Sequence, residues 1–494
     1  MVSPRSILIR SVFPLLAVPG LLLLGLPPAS CEERTPYQQV AGLIDLRTTF
    51  SDGTHSIEEL VRIARSRGFR LLFLNDHDRV ALSYGLPPFR NLLRYRKTFP
   101  SIMSHGPEKY LSEVDRVSRL NPGMLIIPGC ETSPFYYWTG SWLAGDLTAH
   151  EYDRRLLLIS LETPEDYRSL PVAGNDFSFR YWKEGLPPLL FFLPPLWIAL
   201  VFLRRRGVRR GMGVILLVLT VAAVLDAHPF RGSPFNPYRG AQGILPYQTV
   251  IDYANERGAL AFWNYPEQRS GVRDLGPIRM NTPPYPQVLY QSKGYTGFAA
   301  IYGDRMSHIE PGKEWDRALN EYCRGDRENP PWGISTADFH EDGRLGLGLG
   351  DFPTVFLVRN FAKGDILDAM RRGRMYCARG SGSDWPRLEI FQVGAGHGTD
   401  AVMGETVVTD SHPIIRFRVS HPSGKEPALR ILLIRGGRLI RTFEGSPPFE
   451  VTYEDNEAPP GVTTYYRLLD EKKHLASNPI FVRYVPEAGA RVSP

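Results

Sequence analysis

The stretch that decides the fold of this chain begins GLIDLRTTFSDG at residues 42–53 and ends LFLNDHD at residues 72–78. Each of these two segments opens with a short apolar run, which is typical of a buried strand, and closes with polar residues. The first run leads into Ser51-Asp52-Gly53, a sequence typical of a tight turn. Because α/β folds place their chemistry at the ends of strands, these polar residues are candidate functional groups.

The residues between the two strands predict one helix. Ser56 and Glu59 form a capping box, and apolar residues follow at helical spacing until Gly68. The sequence from 42 to 78 therefore predicts a strand, a turn, a helix and a second strand.

Three later segments repeat the pattern of an apolar strand with a polar residue at one end. The run at 124–131 ends in Glu131, and the run from Leu156 to Leu161 follows Arg155. Further along the chain, WGISTADFH at residues 332–340 predicts a strand that ends in an Asp-x-His sequence. Alternate residues at a strand end project to the same side, so this Asp and this His can share one site.

These segments, taken in order, resemble the motifs of the PHP family, the polymerase and histidinol phosphatase type of metal-dependent phosphoesterase. Members of the family open with His-x-His-Thr-x-x-Ser-Asp-Gly and continue with Thr-Asp-His-Asp after one helix. The resemblance runs from Gly42 to Arg374 and implies a distorted, TIM-like β/α barrel. Carried over position by position, it implies these metal ligands: Asp45, Asp52, His77, Glu131, Asp338 and His340.

The chain departs from the family at several positions where histidine is expected. Asp45 and Arg47 replace the two opening histidines, and Arg155 and Tyr265 stand where further ligand histidines are usual. Asp45 stays a competent ligand, because carboxylate oxygen binds zinc, manganese and iron. Arginine keeps its proton and has no lone pair to offer, so Arg47 cannot bind a metal ion. We expect Arg47 and Arg155 to bind substrate phosphate or to neutralise the carboxylates.

Two hypotheses about function follow from this altered ligand set. The first is a membrane-tethered, externally facing phosphoesterase that binds divalent manganese, zinc or iron. It would hold fewer ions than its relatives and hydrolyse a small phosphorylated substrate. The second is a catalytically inactive, PHP-like protein that binds a ligand or a partner in the cell envelope.

The net charge of +6 over 494 residues first suggests nucleic acid, but the arginines responsible flank apolar segments. Without Arg5, Arg10 and the five arginines between residues 204 and 210, the balance would be −1. The excess of positive charge therefore indicates membrane topology, and we expect no nucleic-acid partner.

Residues 1–31 predict a signal peptide or an N-terminal membrane anchor, because Arg5 and Arg10 precede an apolar run that ends in small residues. Cys31 partly matches a lipid-attachment site, and both lipidation and cleavage stay open. Three further cysteines have no paired spacing, so their pairing also stays open: Cys130, Cys323 and Cys377.

Two apolar runs, residues 186–203 and 212–225, are joined by RRRGVRR and predict a transmembrane hairpin over residues 185–227. The second run is shorter than a spanning helix needs, and four prolines interrupt the first. The five arginines of the connector favour its placement on the cytoplasmic side. We therefore expect a bacterial-type cell membrane protein with the bulk of the chain on the external or periplasmic side.

The hairpin divides the predicted barrel into residues 32–184 and residues 228–384. From Arg387 onward, apolar residues recur with a period of two and short strands alternate with Gly, Pro and Ser. That pattern predicts an all-β, Ig-like sandwich over residues 385–494. The expected fold class is α/β, a PHP-type distorted TIM-like β/α barrel interrupted by a transmembrane hairpin and followed by the sandwich.

Overall fold

The structure is a computed structural model that describes residues 36–344, 347–395, 400–423 and 428–486. The predicted signal peptide or anchor at residues 1–31 and the lipidation of Cys31 lie outside the described residues. Within them, Tyr37 onward belongs to one compact unit.

The strands before residue 380 are short and largely buried. They are β1 (Gln38–Leu46), β2 (Leu71–Leu74), β3 (Val80–Gly85), β4 (Arg94–Phe99), β5 (Leu125–Thr132), β6 (Tyr137–Thr139), β7 (Thr148–His150), β8 (Arg155–Ile159), β9 (Leu260–Asn264), β10 (Val272–Leu275), β11 (Ile278–Asn281), β12 (Gly297–Ile301), β13 (Trp332–Ser335), β14 (Pro353–Val358) and β15 (Met375–Ala378).

Strands also make up most of the chain after residue 380, and buried and exposed residues alternate in some of them but not in others. They are β16 (Arg387–Gly394), β17 (Thr406–Thr409), β18 (Ile414–Ser420), β19 (Leu429–Arg435), β20 (Arg438–Gly445), β21 (Phe449–Glu454), β22 (Thr463–Asp470), β23 (Leu475–Ser477) and β24 (Ile480–Tyr484).

Most helices connect the strands of the first part of the chain. They are α1 (Ile57–Ser66), α2 (Ile102–His105), α3 (Pro107–Leu120), α4 (Pro164–Arg168), α5 (Trp182–Gly185), α6 (Leu193–Leu203), α7 (Val208–Asp226), α8 (Leu245–Glu256), α9 (Val288–Gln291), α10 (Glu314–Cys323) and α11 (Lys363–Arg372).

The helix predicted between the first two strands is confirmed as α1. Ser56 accepts a hydrogen bond from the backbone of Glu59, whose side chain bonds back to the Ser56 backbone. This reciprocal pair satisfies donors that the first turn would otherwise leave free. The helix ends at Ser66, and Gly68, two residues later, has a positive φ of 83°.

One large mixed sheet runs through both parts of the chain, in the strand order β13-β12-β9-β8-β5-β2-β1-β14-β15-β23-β22-β19-β20. Strands β1, β2 and β5 are parallel, and so are β9, β12 and β13. Strand β8 lies between these two groups and is antiparallel to both of its neighbours. The fold is therefore mixed α/β around one extended sheet.

The segment that follows β13 returns to the side of β1. Ala337 donates its backbone N–H to Ile44 O (3.3 Å), and Arg47 donates to Phe339 O (2.9 Å). Because of these bonds, the ends of β1 and β13 lie side by side. The polar residues that follow each strand are thereby brought to one place.

The two apolar runs form helices that are long and apolar enough to cross a membrane. The first, Trp182–Leu203, has 22 residues and runs from α5 through a 3-10 helix (Pro187–Phe192) into α6; the second is α7, with 19 residues, and almost no residue of either is buried. The second helix is longer than the predicted run, because it begins within the arginine connector. The hairpin lies in the chain between β8 and β9, which are direct neighbours in the sheet.

An antiparallel ribbon of β3 and β4 has no counterpart among the elements predicted from the sequence. Its strands pair from Val80 with Phe99 to Gly85 with Arg94. Strand β4 is mostly exposed and carries Arg94, Arg96 and Lys97, so it has no apolar period that would mark it as a strand.

The C-terminal strands continue the large sheet and also form a second layer. Strands β16, β18 and β21 make a separate three-stranded sheet, and its inward side chains pack against β19, β22 and β24. Strand β23 pairs with β15, which joins the two parts of the chain. Three cysteines of the described residues are free thiols: Cys130, Cys323 and Cys377.

Candidate functional site

Eight residues singled out in the sequence lie at one edge of the large sheet. Asp45 and Arg47 end β1, His77 follows β2, Glu131 ends β5, and Asp338 and His340 follow β13. Arg155 reaches the same edge because β8 runs antiparallel to β5, which places its first residue beside the last residues of its neighbour. Asp52 comes from the turn after β1.

Three residues of this edge have a left-handed backbone. Asp45, Tyr265 and Asp338 have φ values of 70°, 45° and 46°. This conformation is disfavoured for residues with a side chain, most of all for a bulky one such as tyrosine. Strain of this kind clusters at functional sites, where the surrounding structure maintains it.

Arg47 lies at the centre of the inner part of the site. Its Nη2 atom is 2.9 Å from Asp45 Oδ1, 2.9 Å from Glu131 Oε2 and 3.5 Å from Asp338 Oδ1. Its Nη1 atom donates to the backbone carbonyl of Asn75. Arg47, Asp45 and Glu131 are fully buried, so the guanidinium offsets part of the carboxylate charge without contacting solvent.

Arg155 brings a second positive charge to Glu131. Its Nη1 atom is 2.6 Å from Glu131 Oε2, and its Nη2 atom is 3.0 Å from Asp153 Oδ1. Arg273 donates to the other oxygen of Asp153 at 2.5 Å. Unlike Arg47, the Arg155 side chain is 22% exposed and therefore accessible to a ligand.

The outer part of the site consists of Asp52, His77 and His340. Asp52 Oδ2 is 3.0 Å from His340 Nε2, and Asp52 Oδ1 is 3.5 Å from His77 Nε2. The other nitrogen of His77 lies 3.2 Å from Glu131 Oε2, which links the outer part to the inner part. The Asp52 side chain is 46% exposed, so this part is open to solvent.

Burial and the neighbouring charges separate the pKa values of the carboxyl groups. Burial raises the pKa of Asp45 to about 6, although Arg47 opposes the shift. Burial also acts on Glu131, but Arg155 and Arg47 outweigh it and hold the pKa of Glu131 well below its usual range. For Asp52, the hydrogen bonds of His340 and His77 outweigh burial and lower its pKa.

The pKa of His77 is shifted in the opposite direction from that of Asp52. Burial lowers the pKa of the His77 imidazole, but hydrogen bonds with Asp52 and Glu131 outweigh burial and raise it. The two carboxylates beside His77 thus favour the charged form of its imidazole.

Asn264 and Asn75 were not recognised in the sequence as site residues. Asn264 Nδ2 donates to Asp45 Oδ2 (3.0 Å) and to Glu131 Oε1 (2.7 Å), and so joins two carboxylates. Tyr265, which was noted in place of a histidine, donates its hydroxyl to the same Asp45 oxygen. Both asparagines stand at the end of an apolar strand, which is the signal that could have identified them.

Two further polar residues of this part of the chain, Asp76 and His150, make contacts of their own. Asp76 accepts hydrogen bonds from the Thr48 backbone (2.7 Å) and from Ser51 Oγ (2.6 Å), so it holds the turn after β1 in place. His150 stacks on Tyr137, and its Nε2 lies 2.7 Å from Thr139 Oγ1.

The inner part does not fit a metal ion, because the Arg47 guanidinium already lies between its carboxylates. The outer part has the donor chemistry of a metal site, with one carboxylate and two imidazoles. In the described residues, however, no group of three or more His, Cys, Asp and Glu side chains is arranged to hold a metal ion. Asp52 instead forms hydrogen-bonding contacts with both histidines.

A cavity adjoins the site on the side of β3. His77, Glu131 and Arg155 form one wall, while Ala81, Tyr136 and Gly174 contribute to the rest. A ligand in this cavity would meet the positive charge of Arg155 and the imidazole of His77.

No family model matches the chain, and no curated protein matches it. A structure from Bacteroides vulgatus, a two-domain protein described as containing a predicted PHP-like metal-dependent phosphoesterase, is similar at 11% identity and a TM-score of 0.36. The similarity covers 87% of this chain and 90% of that chain. A structure from Bifidobacterium adolescentis, assigned as a metal-dependent phosphoesterase, is similar at 17% identity and a TM-score of 0.28, over 63% of this chain and 91% of that one.

A third similar structure is the fibronectin(III)-like modules of CbhA from Clostridium thermocellum. It has 14% identity and a TM-score of 0.13, and it covers 20% of this chain and 97% of that one. Similarity at these levels carries no conclusion about the activity of this chain. The solved structures to which the chain is similar nevertheless include PHP-like metal-dependent phosphoesterases, the family that its sequence motifs resemble.

Proposed function

We propose that this protein is a membrane-anchored, PHP-like phosphoesterase with a reduced set of metal ions, facing the external or periplasmic side. One observation carries the proposal: the side chains of Asp52, His77, Glu131, Arg155 and His340 converge beside a cavity at the ends of the strands. Convergence of acids, imidazoles and guanidinium groups at one strand edge favours chemistry on a phosphate ester over a structural role.

The proposed fold is a PHP-type barrel made of β1, β2, β5, β8, β9, β12 and β13. The hydrogen bonds that join the segment after β13 to the end of β1 support closure of this ring. The proposed barrel is interrupted by the hairpin between β8 and β9 and is followed by an Ig-like sandwich of the C-terminal strands.

Asp52, His77 and His340 are the residues that would hold a divalent manganese, zinc or iron ion. A bound ion supplies Lewis-acid stabilisation of the charge that develops on a phosphoryl group. Arg155 places positive charge on the cavity wall, where it would orient the phosphate of a small substrate. Asn264 holds Asp45 and Glu131 in fixed positions behind this wall.

A second candidate function is a ligand-binding protein without catalysis. The position of Arg47 favours it, since a permanent cation already lies among three carboxylates and offsets part of their charge without any metal ion. Metal content and hydrolysis of phosphate esters separate the two candidates.

The test is metal analysis and phosphatase assay of the full chain in detergent, with added manganese or zinc. We expect about one tightly bound ion per chain and hydrolysis of a generic phosphomonoester. His340→Asn should abolish both, while His150→Asn, a histidine outside the site, should leave both unchanged. Less than one ion per chain together with no hydrolysis would leave only the ligand-binding candidate.

A second variant tests the role of Arg47 in excluding metal. Asp45→His combined with Arg47→His removes the guanidinium and adds two imidazole donors between Glu131 and Asp338. We expect the variant to bind at least one more divalent ion than the unsubstituted chain. An unchanged stoichiometry in a folded variant would contradict this role.

The membrane topology is tested separately. The connector at Gly207 should lie in the cytoplasm, because five arginines surround it. A reporter fused at Gly207 that proved externally exposed would overturn the proposed orientation.

A further inference from the structure

Exposed apolar side chains gather where the helical hairpin leaves the rest of the molecule. We call this region the hairpin-base surface, and it comprises residues 86–93 between β3 and β4, residues 176–182 before and into α5, and residues 226–231 after α7. Its exposed apolar residues are Leu86, Leu92, Leu93, Phe177, Phe179 and Trp182.

Hydrogen bonds tie the loop between β3 and β4 to the end of α7. The backbone N–H groups of Asn91 and Leu92 donate to Asp226 Oδ1 at 2.7 and 3.0 Å. Asn91 Nδ2 also donates to the Asp226 carbonyl at 2.8 Å. The exposed Leu92 and Leu93 are therefore held beside the base of the second apolar helix.

The segment before α5 is attached to the same place. Phe177, Phe179 and Phe230 contact one another with ring centroids 5.2–5.5 Å apart. Asp176 pairs with Arg94 at 2.8 Å, which connects this segment to β4. The three segments thus form one continuous surface around the base of the hairpin.

The charged groups of this surface are paired with neighbours and do not form an open anion site. Arg94 and Arg96 both pair with Asp176, and Arg180 pairs with Glu256 at 2.8 Å. Long cationic side chains and aromatic rings side by side are typical of a protein surface at the boundary between lipid headgroups and acyl chains. The apolar surface also continues directly into two almost fully exposed apolar helices.

We propose that the hairpin-base surface docks into the headgroup–acyl boundary of the lipid leaflet that the hairpin enters. The proposal rests on the membrane anchoring stated under the proposed function and adds which face of the protein lies on the bilayer. Two residues that line the cavity beside His77 lie close in the chain to this surface: Ala81 is on β3, and Gly174 precedes the segment 176–182.

The test uses the full chain in nanodiscs of phosphatidylcholine and phosphatidylglycerol, with a spin label on one introduced cysteine at a time. Leu93→Cys and Phe179→Cys report on the surface, and Ile215→Cys reports on the hairpin. Leu439→Cys, an equally exposed leucine of the C-terminal strands, is the control. The unsubstituted chain supplies the background from its native cysteines.

We expect labels at positions 93, 179 and 215 to be several-fold more accessible to dissolved oxygen, relative to a water-soluble nickel chelate, than the label at 439. If position 215 lies in lipid while 93 and 179 lie in water, the anchoring stands and the docking is overturned. If position 215 also lies in water, the anchoring itself fails, and the docking fails with it.

Discussion

Arg47 and Arg467 are both fully buried, but their surroundings differ in kind. Arg467 on β22 makes a two-bond pair with Asp316 on α10, with Nε 2.7 Å from Oδ1 and Nη2 2.7 Å from Oδ2. Its guanidinium also lies 4.8 Å from the centre of the Trp315 ring. One cation thus faces one carboxylate in a closed and well-oriented pair.

Arg47 instead faces three carboxylates with a single nitrogen. Its Nη2 lies within ion-pairing distance of Asp45, Glu131 and Asp338, yet makes no hydrogen bond of good geometry. The negative charge around it exceeds the positive charge that it supplies. The balanced buried pair joins β22 to α10, whereas the excess of carboxylates around Arg47 leaves negative charge that this arginine alone does not offset.

Breaking the Arg467–Asp316 pair should have the largest effect on the free energy of unfolding. Arg467→Met leaves Asp316 buried without its partner, and we expect a loss of about 3 to 5 kcal/mol in the free energy of unfolding. Chemical denaturation of the full chain in detergent measures the loss. Arg317→Met, at an exposed neighbour of Asp316, is the control and should cost less than about 1 kcal/mol. Equal losses in the two variants would contradict the role of the pair.

Removing Arg47 should lower the free energy of unfolding by about 3 kcal/mol at pH 8 and by less at pH 5. Arg47→Met removes the cation that opposes the raised pKa of Asp45, so more carboxyl groups of the folded variant hold a proton. A folded state that binds extra protons loses stability as the pH rises. Added manganese should restore stability to this variant and not to Arg467→Met. A loss independent of both pH and manganese would make the two arginines equivalent.

Glu267 is a buried carboxylate with hydrogen bonds from two neighbouring residues, and it should control stability in acid. It lies 2.8 Å from His308 Nδ1 and also accepts hydrogen bonds from Ser307 Oγ and the His308 backbone. These contacts outweigh burial and lower the pKa of Glu267 from 4.5 to about 2. The stabilisation, about 3 kcal/mol, should be complete above pH 4.5 and be lost as the pH falls toward 2. Glu267→Gln should flatten the stability profile in that window. An unchanged profile would exclude this pair as its cause.

The smallest expected effect concerns the tyrosine beside Asp45. Tyr265→Phe removes one of two donors to Asp45 Oδ2 and keeps the other, Asn264. We expect the free energy of unfolding to fall by about 1 kcal/mol at neutral pH. The hydrogen bond lowers the pKa of Asp45, so the variant should raise that pKa above about 6. Infrared titration of the carboxyl band, compared with Asp45→Asn, measures the shift.

Local patterns predicted most of the elements around the site. The capping box of α1, the strand ends at Glu131 and His77, and the period of two after Arg387 all depend on residues close together in the chain. The ribbon of β3 and β4 was missed, because β4 is exposed and charged and carries no apolar period. The antiparallel direction of β8, which brings Arg155 to the site, depends on pairing with β5 and β9 and has no local signal.

The sequence by itself determined which chemical groups stand at the strand ends and which two helices are apolar enough to cross a membrane. It did so because periodicity, capping and composition act over a few residues. Only the tertiary structure decided that the Arg47 guanidinium lies among Asp45, Glu131 and Asp338, and that Asn264 joins two of them. These contacts connect residues far apart in the chain, and their energies depend on burial and distance, which no local pattern contains.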